Sequence, residues 1–384
     1  MNRANEIRRR AYLLTLLPSH VLASVLLAIL PLLLLFNGET VAGRLVGLGA
    51  LFLLLSCLAL WLMMSSNRKL RLLPLPLFTA GLICIAICYA ISPNGDVPPG
   101  NFSSHYGDRA KFSRISLANL VPEIDQLKLG SYLFSLIDPR LGAEQGSHLR
   151  HLVLDVYGEM DRDENFRDAG SVLGMCYEDI LLGRRDKLHF YEYVPRHLGR
   201  KSYPVMIFLH GSLGNFKGYM WVLKELADSS GIAIIAPTYG CGNWYLDRGC
   251  SVLNATYAYC RANSELDANR IILAGLSNGG TGVTRAVRDH GQRYMGVILL
   301  SAVLEQSIIS SPSFASNAVK SRFLIIHGED DNRIPVECAR RCEAVLKQDG
   351  LTVKSRYYQG EDHFLFFSRR TEIVKDMAEW IGQL

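Results

Sequence analysis

Three long apolar segments dominate the first 92 residues of this 384-residue chain. Positions 12–36, 45–64 and 72–91 contain no charged residue. A helix of about 20 apolar residues can cross the hydrocarbon core of a bilayer, which is about 30 Å thick. The pattern therefore predicts three transmembrane helices and a chain anchored in a lipid bilayer. The alternative for the first segment is a cleavable signal peptide, because Arg8, Arg9 and Arg10 precede it, but its apolar stretch is long for that role.

Basic residues flank these segments unevenly. Four arginines precede the first segment, Arg44 alone separates the first from the second, and Arg68, Lys69 and Arg71 separate the second from the third. Lys and Arg residues next to transmembrane helices are enriched on the cytoplasmic side of the membrane. The sequence thus predicts a cytoplasmic amino terminus and a large carboxy-terminal part on the periplasmic or other extracytoplasmic side. Basic residues at positions 109, 111 and 114 are the observation against this orientation.

The remainder of the chain is almost neutral. Of the charged residues, 8 Lys and Arg and 2 Asp and Glu lie in the first 92 positions, which leaves 33 basic and 34 acidic residues beyond them. A nucleic-acid-binding protein would need a basic surface, so no nucleic-acid partner is predicted.

Residues 93–186 show no regular pattern. Positions 92–104 are rich in Pro, Gly, Asn and Ser and are typical of a linker. Mixed helical spacing between 115 and 137 indicates one or two short helices, and the acidic cluster near Asp161 is typical of a solvated surface. We interpret this region as a linker with a partly helical extension and assign it no function.

A regular alternation of apolar strands and helices begins near residue 187 and continues to 384. Strands are predicted at 188–194, 205–209, 232–236, 295–301, 322–327 and 353–358, with a further one that leads into Ser277. Strands that alternate with helices form a mostly parallel sheet covered on both faces, with chemistry at the carboxyl ends of the strands. The fold class is therefore α/β, doubly wound.

A serine lies at the tip of a predicted strand-turn-helix unit, in Gly275-Leu276-Ser277-Asn278-Gly279. Small residues two before and two after the serine let the strand and helix backbones approach each other. Such five-residue motifs also occur by chance, as glycine-rich turns.

Activation of a serine hydroxyl needs a base, and the base needs an acid to orient it. His363 is the histidine that follows the last predicted strand and precedes the final helix. A run of carboxylates at 329–331 follows the strand before it. The order serine, acid, histidine is that of one group of hydrolases.

These motifs together make the region 187–384, about half of the chain, resemble an α/β-hydrolase domain. The resemblance implies that Asp331 is the acid, as the fifth residue of a His-Gly-x-x-Asp-x-x-Val-Pro stretch in which Ile334 replaces Val, with Asp330 as the alternative. It also implies that backbone N–H groups of Asn278 and Ser212 form the oxyanion hole, with Leu213 as the alternative to Ser212.

Two aromatic residues, Tyr239 and Trp244, follow the fourth predicted strand of this region. They are candidates for the substrate pocket, with core packing as the competing interpretation. The interval 303–321, where many relatives carry a cap, is short. We expect an open site that admits bulky or polymeric substrates unless the extension covers it.

No metal or cofactor is expected. The nearest approach to zinc-ligand spacing is His148 and His151, which is unconvincing. In an oxidising compartment Cys250 is a candidate for pairing with Cys241 or Cys260.

The sequence thus predicts a membrane-anchored serine hydrolase that acts on a small-molecule, lipid or polymeric ester, like esterases and feruloyl esterases. Alternatives are a serine peptidase of the prolyl-oligopeptidase type, a membrane-associated acyltransferase, and a catalytically inactive tethered interaction module. The predicted regions are 1–92 for the membrane helices, 93–186 for the linker and extension, and 187–384 for the catalytic domain.

Overall fold

The computed structural model describes residues 3–64, 67–91, 100–106, 120–137, 142–181 and 188–384. The chain divides into two compact units, Met1–Ser92 with Arg114–Leu133 and Pro93–Ser113 with Phe134–Leu384. The first unit holds the apolar helices, and the second holds the sheet.

The first unit is helical. Its stretches Leu16–Asn37, Val41–Met63 and Arg68–Ile91 are long and apolar enough to cross a membrane, with mean hydropathies of 2.4, 2.5 and 2.1. They overlap the three segments predicted from the sequence. The helices are α1 (Arg3–Asn37), α2 (Val41–Ala59), α3 (Arg68–Leu72), α4 (Pro74–Ile91) and, mostly within this unit, α5 (Glu123–Ile137), with a 3₁₀ turn at Leu60–Met64.

Close backbone packing and one buried carboxylate organise this unit. A Cβ on Gly81 of α4 would lie 3.0 Å from the carbonyl oxygen of Gly49 in α2, so small residues let these helices approach closely. Asp125 of α5 accepts hydrogen bonds from the Glu39 N–H and the Thr40 hydroxyl, both at 2.5 Å. These bonds fasten α5 to the start of α2.

Eight strands form one sheet in the second unit, in the order β1-β2-β4-β3-β5-β6-β7-β8. From β4 through β3 to β8 all neighbours are parallel, whereas β1 and β2 pair antiparallel with each other and β2 pairs antiparallel with β4. This confirms the mostly parallel α/β sheet that the sequence predicts. The strands are β1 (Phe102–Tyr106), β2 (His189–Tyr193), β3 (Tyr203–Leu209), β4 (Ala233–Pro237), β5 (Leu266–Leu276), β6 (Tyr294–Leu300), β7 (Arg322–Gly328) and β8 (Thr352–Tyr358).

Helices connect the parallel strands. The short α12, α13 and α15 were absent from the sequence prediction, because one or two turns contain too few residues to show a helical period. The helices of this unit are α6 (Ala143–Met160), α7 (Glu164–Asp168), α8 (Leu173–Leu181), α9 (Lys217–Ser230), α10 (Asp247–Ala262), α11 (Gly279–His290), α12 (Gln306–Ile309), α13 (Pro312–Ala318), α14 (Val336–Gln348), α15 (Leu365–Ser368) and α16 (Arg370–Ile381).

The central strands are buried on both faces. Ile207 and Phe208, consecutive residues of β3, are both fully hidden from solvent, as are Leu273 and Ala274 of β5. Strands covered by helices on both sides lack the polar alternation of a solvent-facing strand. This packed layer fixes the carboxyl ends of β3, β5, β7 and β8 relative to one another, and the candidate site residues follow those ends.

One strand lies where the sequence predicts a linker. Residues 92–104 are rich in linker residues, yet Phe102–Tyr106 forms β1 at the edge of the sheet. Only Phe102 of this strand is fully buried, where its ring stacks on that of Phe166 with centroids 4.0 Å apart. The strand is held by backbone pairing with β2 and this one anchor, so its sequence shows no apolar alternation.

Candidate active site

Ser277 lies at the turn between β5 and α11. Its φ is +51°, in the left-handed region that a residue with a Cβ rarely adopts. The backbone is held there from neighbouring strands, since the Ser277 N–H donates to the Leu300 carbonyl at 3.0 Å and its own carbonyl accepts the Val303 N–H at 2.8 Å. This is the strand-turn-helix context expected for the motif.

The glycines on either side of Ser277 meet a steric requirement. A Cβ on Gly279 would lie 2.1 Å from the Leu209 carbonyl oxygen, and a Cβ on Gly275 would lie 2.6 Å from the Gly279 carbonyl carbon. Both distances are shorter than van der Waals contact, so only glycine fits at either position. The first turn of α11 therefore packs directly against β3 and β5.

Three side chains from separate strand ends form one hydrogen-bonded chain. His363 Nε2 lies 3.0 Å from Ser277 Oγ, and His363 Nδ1 lies 2.8 Å from Asp331 Oδ2. A carboxylate can only accept, so the neutral imidazole carries its proton on Nδ1 and presents Nε2 to the serine hydroxyl. All three residues are buried, at 4 to 7% exposure.

Asp331 is held as a carboxylate by its surroundings. Its Oδ1 accepts the N–H groups of Arg333 at 2.9 Å and Ile334 at 2.8 Å, while Oδ2 faces His363. Burial acts to raise the pKa of the carboxyl group, but the hydrogen bond and charge interaction with His363 and the Ile334 N–H together bring the pKa below its usual value. The neighbouring Asp330 is exposed to solvent.

A second buried histidine supports the Asp331 turn. His327 Nε2 lies 2.7 Å from the Ile334 carbonyl oxygen, which fixes a proton on that nitrogen, and 3.4 Å from Asp331 Oδ2. Burial lowers the pKa of His327, so the ring is neutral. This hydrogen bond therefore links His327 and Ile334, which lie on either side of Asp331 in the sequence.

The loop after β3, residues 210–216 and called the β3 loop below, lies against the serine. A Cβ on Gly211 would be 3.2 Å from Ser277 Cβ. Within the part of the chain that the structure describes, the backbone N–H groups of Ser212 and Asn278 donate no hydrogen bond to another protein group. Leu213, the alternative donor, has a φ of +75°.

Comparison with known proteins agrees with this architecture. Residues 252–381 match the phospholipase/carboxylesterase family, and this range contains Ser277, Asp331 and His363. The chain has the α/β-hydrolase fold. No curated protein matches the chain significantly.

Solved structures similar to this hydrolase fold include a thermostable esterase with a TM-score of 0.44 at 19% identity, over 51% of this chain and 59% of that one. A ferulic acid esterase has a TM-score of 0.43 at 16% identity, over 52% of this chain and 93% of that one. An acylaminoacyl peptidase from Pyrococcus horikoshii has a TM-score of 0.42 at 17% identity, over 51% of this chain and 39% of that one.

In the hydrolase fold, Tyr239 and Trp244 lie beneath the β3 loop. Trp244 is fully buried, and its Nε1–H donates to the His210 carbonyl at 2.9 Å. Tyr239 is 8% exposed, and its N–H donates to His210 Nε2 at 3.2 Å. Both belong to the core of the second unit, which we call the hydrolase unit, so these contacts match the packing interpretation of the two aromatics.

The described residues hold neither a metal-binding group nor a disulfide. No set of three or more His, Cys, Asp and Glu side chains among them is placed to bind a metal ion, and His148 and His151 are exposed on α6. All nine cysteines lie within the described ranges, and none of them, including Cys241, Cys250 and Cys260, forms a disulfide.

Two residues of α6 that pack beside the site were not predicted from the sequence. Leu149 and Leu152 pack against Phe364, the neighbour of His363, together with Leu213 of the β3 loop. The only sequence signal for them is their spacing of three residues on one helix face. That spacing does not reveal which surface the face covers.

Proposed function

We propose that the protein is a membrane-anchored serine hydrolase that cleaves carboxylic esters. The observation that carries this proposal is the continuous chain of hydrogen bonds from Ser277 through His363 to Asp331, at the ends of three strands of one sheet. The match of residues 252–381 to the phospholipase/carboxylesterase family supports the same reaction class. Three apolar helices support the membrane anchor.

The first half of the reaction forms an acyl-enzyme. Ser277 Oγ attacks the ester carbonyl carbon while its proton passes to His363 Nε2, and Asp331 stabilises the resulting imidazolium through its bond to Nδ1. The carbonyl oxygen becomes an oxyanion, which the N–H groups of Ser212 and Asn278 stabilise. The intermediate then expels the alcohol, which takes the proton from His363.

The second half releases the acid. Water gives a proton to His363 Nε2 as it attacks the acyl carbon, and the same proton returns to Ser277 Oγ when the acid leaves. Side chains and backbone groups of this chain perform every step, so the proposed reaction requires no cofactor. The proposed substrate is a small-molecule, lipid or polymeric ester.

A panel of p-nitrophenyl esters and aminoacyl p-nitroanilides tests the reaction class with the full chain in detergent. We expect ester hydrolysis that Ser277→Ala lowers by at least about 10⁴-fold, because the nucleophile is lost while the fold remains. Ser301→Ala, at the end of the neighbouring strand β6, is the matched serine control and should keep most of the activity. Faster cleavage of the anilides than of the esters would contradict the esterase assignment, and full activity of Ser277→Ala would contradict the nucleophile.

A further inference from the structure

The segment 142–181, which contains α6, α7 and α8, belongs to neither the sheet nor the proposed triad. The sequence indicates no function for it. In the structure, however, α8 contacts the β3 loop, which carries one proposed oxyanion donor, and α6 packs on Phe364, which Leu213 of that loop also contacts.

The first contact is between α8 and the backbone of the β3 loop. Gly214 has a φ of +125°, and a Cβ there would lie 2.7 Å from Leu173 Cδ1 and 3.0 Å from Cys176 Sγ. The Asn215 N–H donates to Cys176 Sγ at 3.4 Å. Leu173 and Cys176 are buried, so the loop backbone rests directly on a packed helix surface.

The second contact links α6 to a strained leucine through Phe364. Leu213 follows Ser212 and has a φ of +75°, a conformation that its Cβ disfavours. Its side chain packs against Phe364, the residue after His363, and Leu149 and Leu152 of α6 pack against the same Phe364. The apolar cluster around Phe364 therefore holds Leu213 in a backbone conformation that a leucine does not prefer.

The segment itself is firmly attached to the hydrolase unit. The Lys217 ammonium, at the start of α9, donates to the carbonyl oxygens of Phe166 at 2.9 Å and Ala169 at 3.0 Å. The Phe166 ring stacks on Phe102 of β1. These contacts hold the end of α7 in place. They therefore fix the positions of the neighbouring helices α6 and α8 beside the β3 loop.

We propose that α6 and α8 are positioning elements that hold the β3 loop against Ser277 in the conformation needed for oxyanion stabilisation. This inference rests on the proposed hydrolase function. It gives the extension a role in catalysis without contact with the reacting atoms. Preorganised N–H donors stabilise a transition state only when their position is fixed in advance.

The test compares Leu149→Ala/Leu152→Ala with wild type in ester hydrolysis and in hydrogen exchange of the peptide that spans 210–216. We expect kcat to fall by about 10-fold or more, less than the loss of a whole oxyanion donor at about 10²- to 10³-fold, with KM within about twofold. Exchange of the loop peptide should become at least about 10-fold faster. Leu154→Ala, half-buried on the same helix and outside the cluster around Phe364, should change neither quantity.

A glycine at position 213 provides a rescue. Glycine adopts a positive φ without the steric penalty of a Cβ, so Leu213→Gly added to the double variant should recover at least about threefold in kcat. No recovery would mean that the backbone conformation of Leu213 is not what α6 holds, and would overturn the inference.

Two further results would also overturn it. One is a folded double variant with kcat and loop exchange within twofold of wild type, and the other is a loss confined to KM, which would make the leucines substrate contacts. If the double variant does not fold, the single variant Leu149→Ala must show a smaller fall in kcat, again with KM nearly unchanged. If wild type is inactive on every ester, the proposed function is wrong, while the exchange experiment still decides whether α6 holds the loop.

Discussion

His210 shows how a single buried residue shapes the β3 loop. Its Nδ1 lies 2.8 Å from the Gly211 carbonyl oxygen and its Nε2 accepts the Tyr239 N–H, so the ring is satisfied only as the neutral Nδ1–H tautomer. Complete burial lowers the pKa of His210 to about 4. Protonation would remove the acceptor for Tyr239 and place an unpaired cation in the core.

This lowered pKa predicts a pH dependence of stability. Between about pH 4 and pH 6.5 an unfolded chain binds a proton at this histidine and the folded chain does not, so the free energy of unfolding falls as the pH is lowered through that window. His210 alone contributes up to about 3 kcal/mol to that fall. His210→Gln, which cannot titrate, should reduce the slope of unfolding free energy against pH.

Urea unfolding of the full chain in detergent at several pH values measures this slope. The slope should decrease without vanishing, because burial also lowers the pKa values of His327 and His105. His151→Gln, at an exposed position on α6, is the matched control and should leave the slope as in wild type. Equal slopes for wild type and His210→Gln would contradict the assignment of a buried neutral histidine.

At the same scale, the sequence carries information about residues whose surroundings are constrained by chemistry. Their positions after predicted strands point to Ser277 and His363, the family resemblance implies Asp331, and in the structure Ser277 and Asp331 each lie within hydrogen-bond distance of His363. Leu149 and Leu152 carry no such signature. Their importance depends on where α6 packs, which is a property of distant contacts.

Among the elements, the parallel strands were predicted to within two residues at each end, except that β5 begins at Leu266, before its apolar run. Helices cover β3 and residues 271–276 of β5 on both sides, so these stretches are continuously apolar and easily recognised. The edge strand β1 and the segment 142–181 were not, because residues far away in the sequence hold them in place. Phe102 stacks on Phe166, and Lys217 binds the carbonyls of Phe166 and Ala169 across about 50 residues of sequence.

These anchored elements explain why the extension belongs with the hydrolase unit. Pro93–Ser113 and Phe134–Leu384 group together in one compact unit, while Arg114–Leu133 groups with the apolar helices. The sequence boundary at residue 187 marks the start of regular alternation. Residues before that boundary already contribute a strand to the sheet, helix α8 against the β3 loop and helix α6 against Phe364.

For the whole molecule, the basic flanks of the apolar helices predict that the hydrolase unit faces away from the cytoplasm. A phosphatase reporter that folds only outside the cytoplasm should be active when fused after Leu384. The same reporter inserted after Asn67, between the second and third apolar stretches, is the matched control and should be inactive. An inactive fusion after Leu384 together with an active one after Asn67 would contradict the predicted orientation and indicate the opposite one.

The most direct test of the central claim is covalent labelling of the purified full chain with a fluorophosphonate, followed by peptide mass spectrometry. This probe phosphonylates a serine only where a base activates the hydroxyl and N–H donors stabilise the charged phosphoryl oxygen. We expect one adduct, on Ser277, in wild type, and its loss in Ser277→Ala and His363→Ala. An unlabelled wild-type protein, or equal labelling of Ser277→Ala, would contradict the account of this protein as a serine hydrolase.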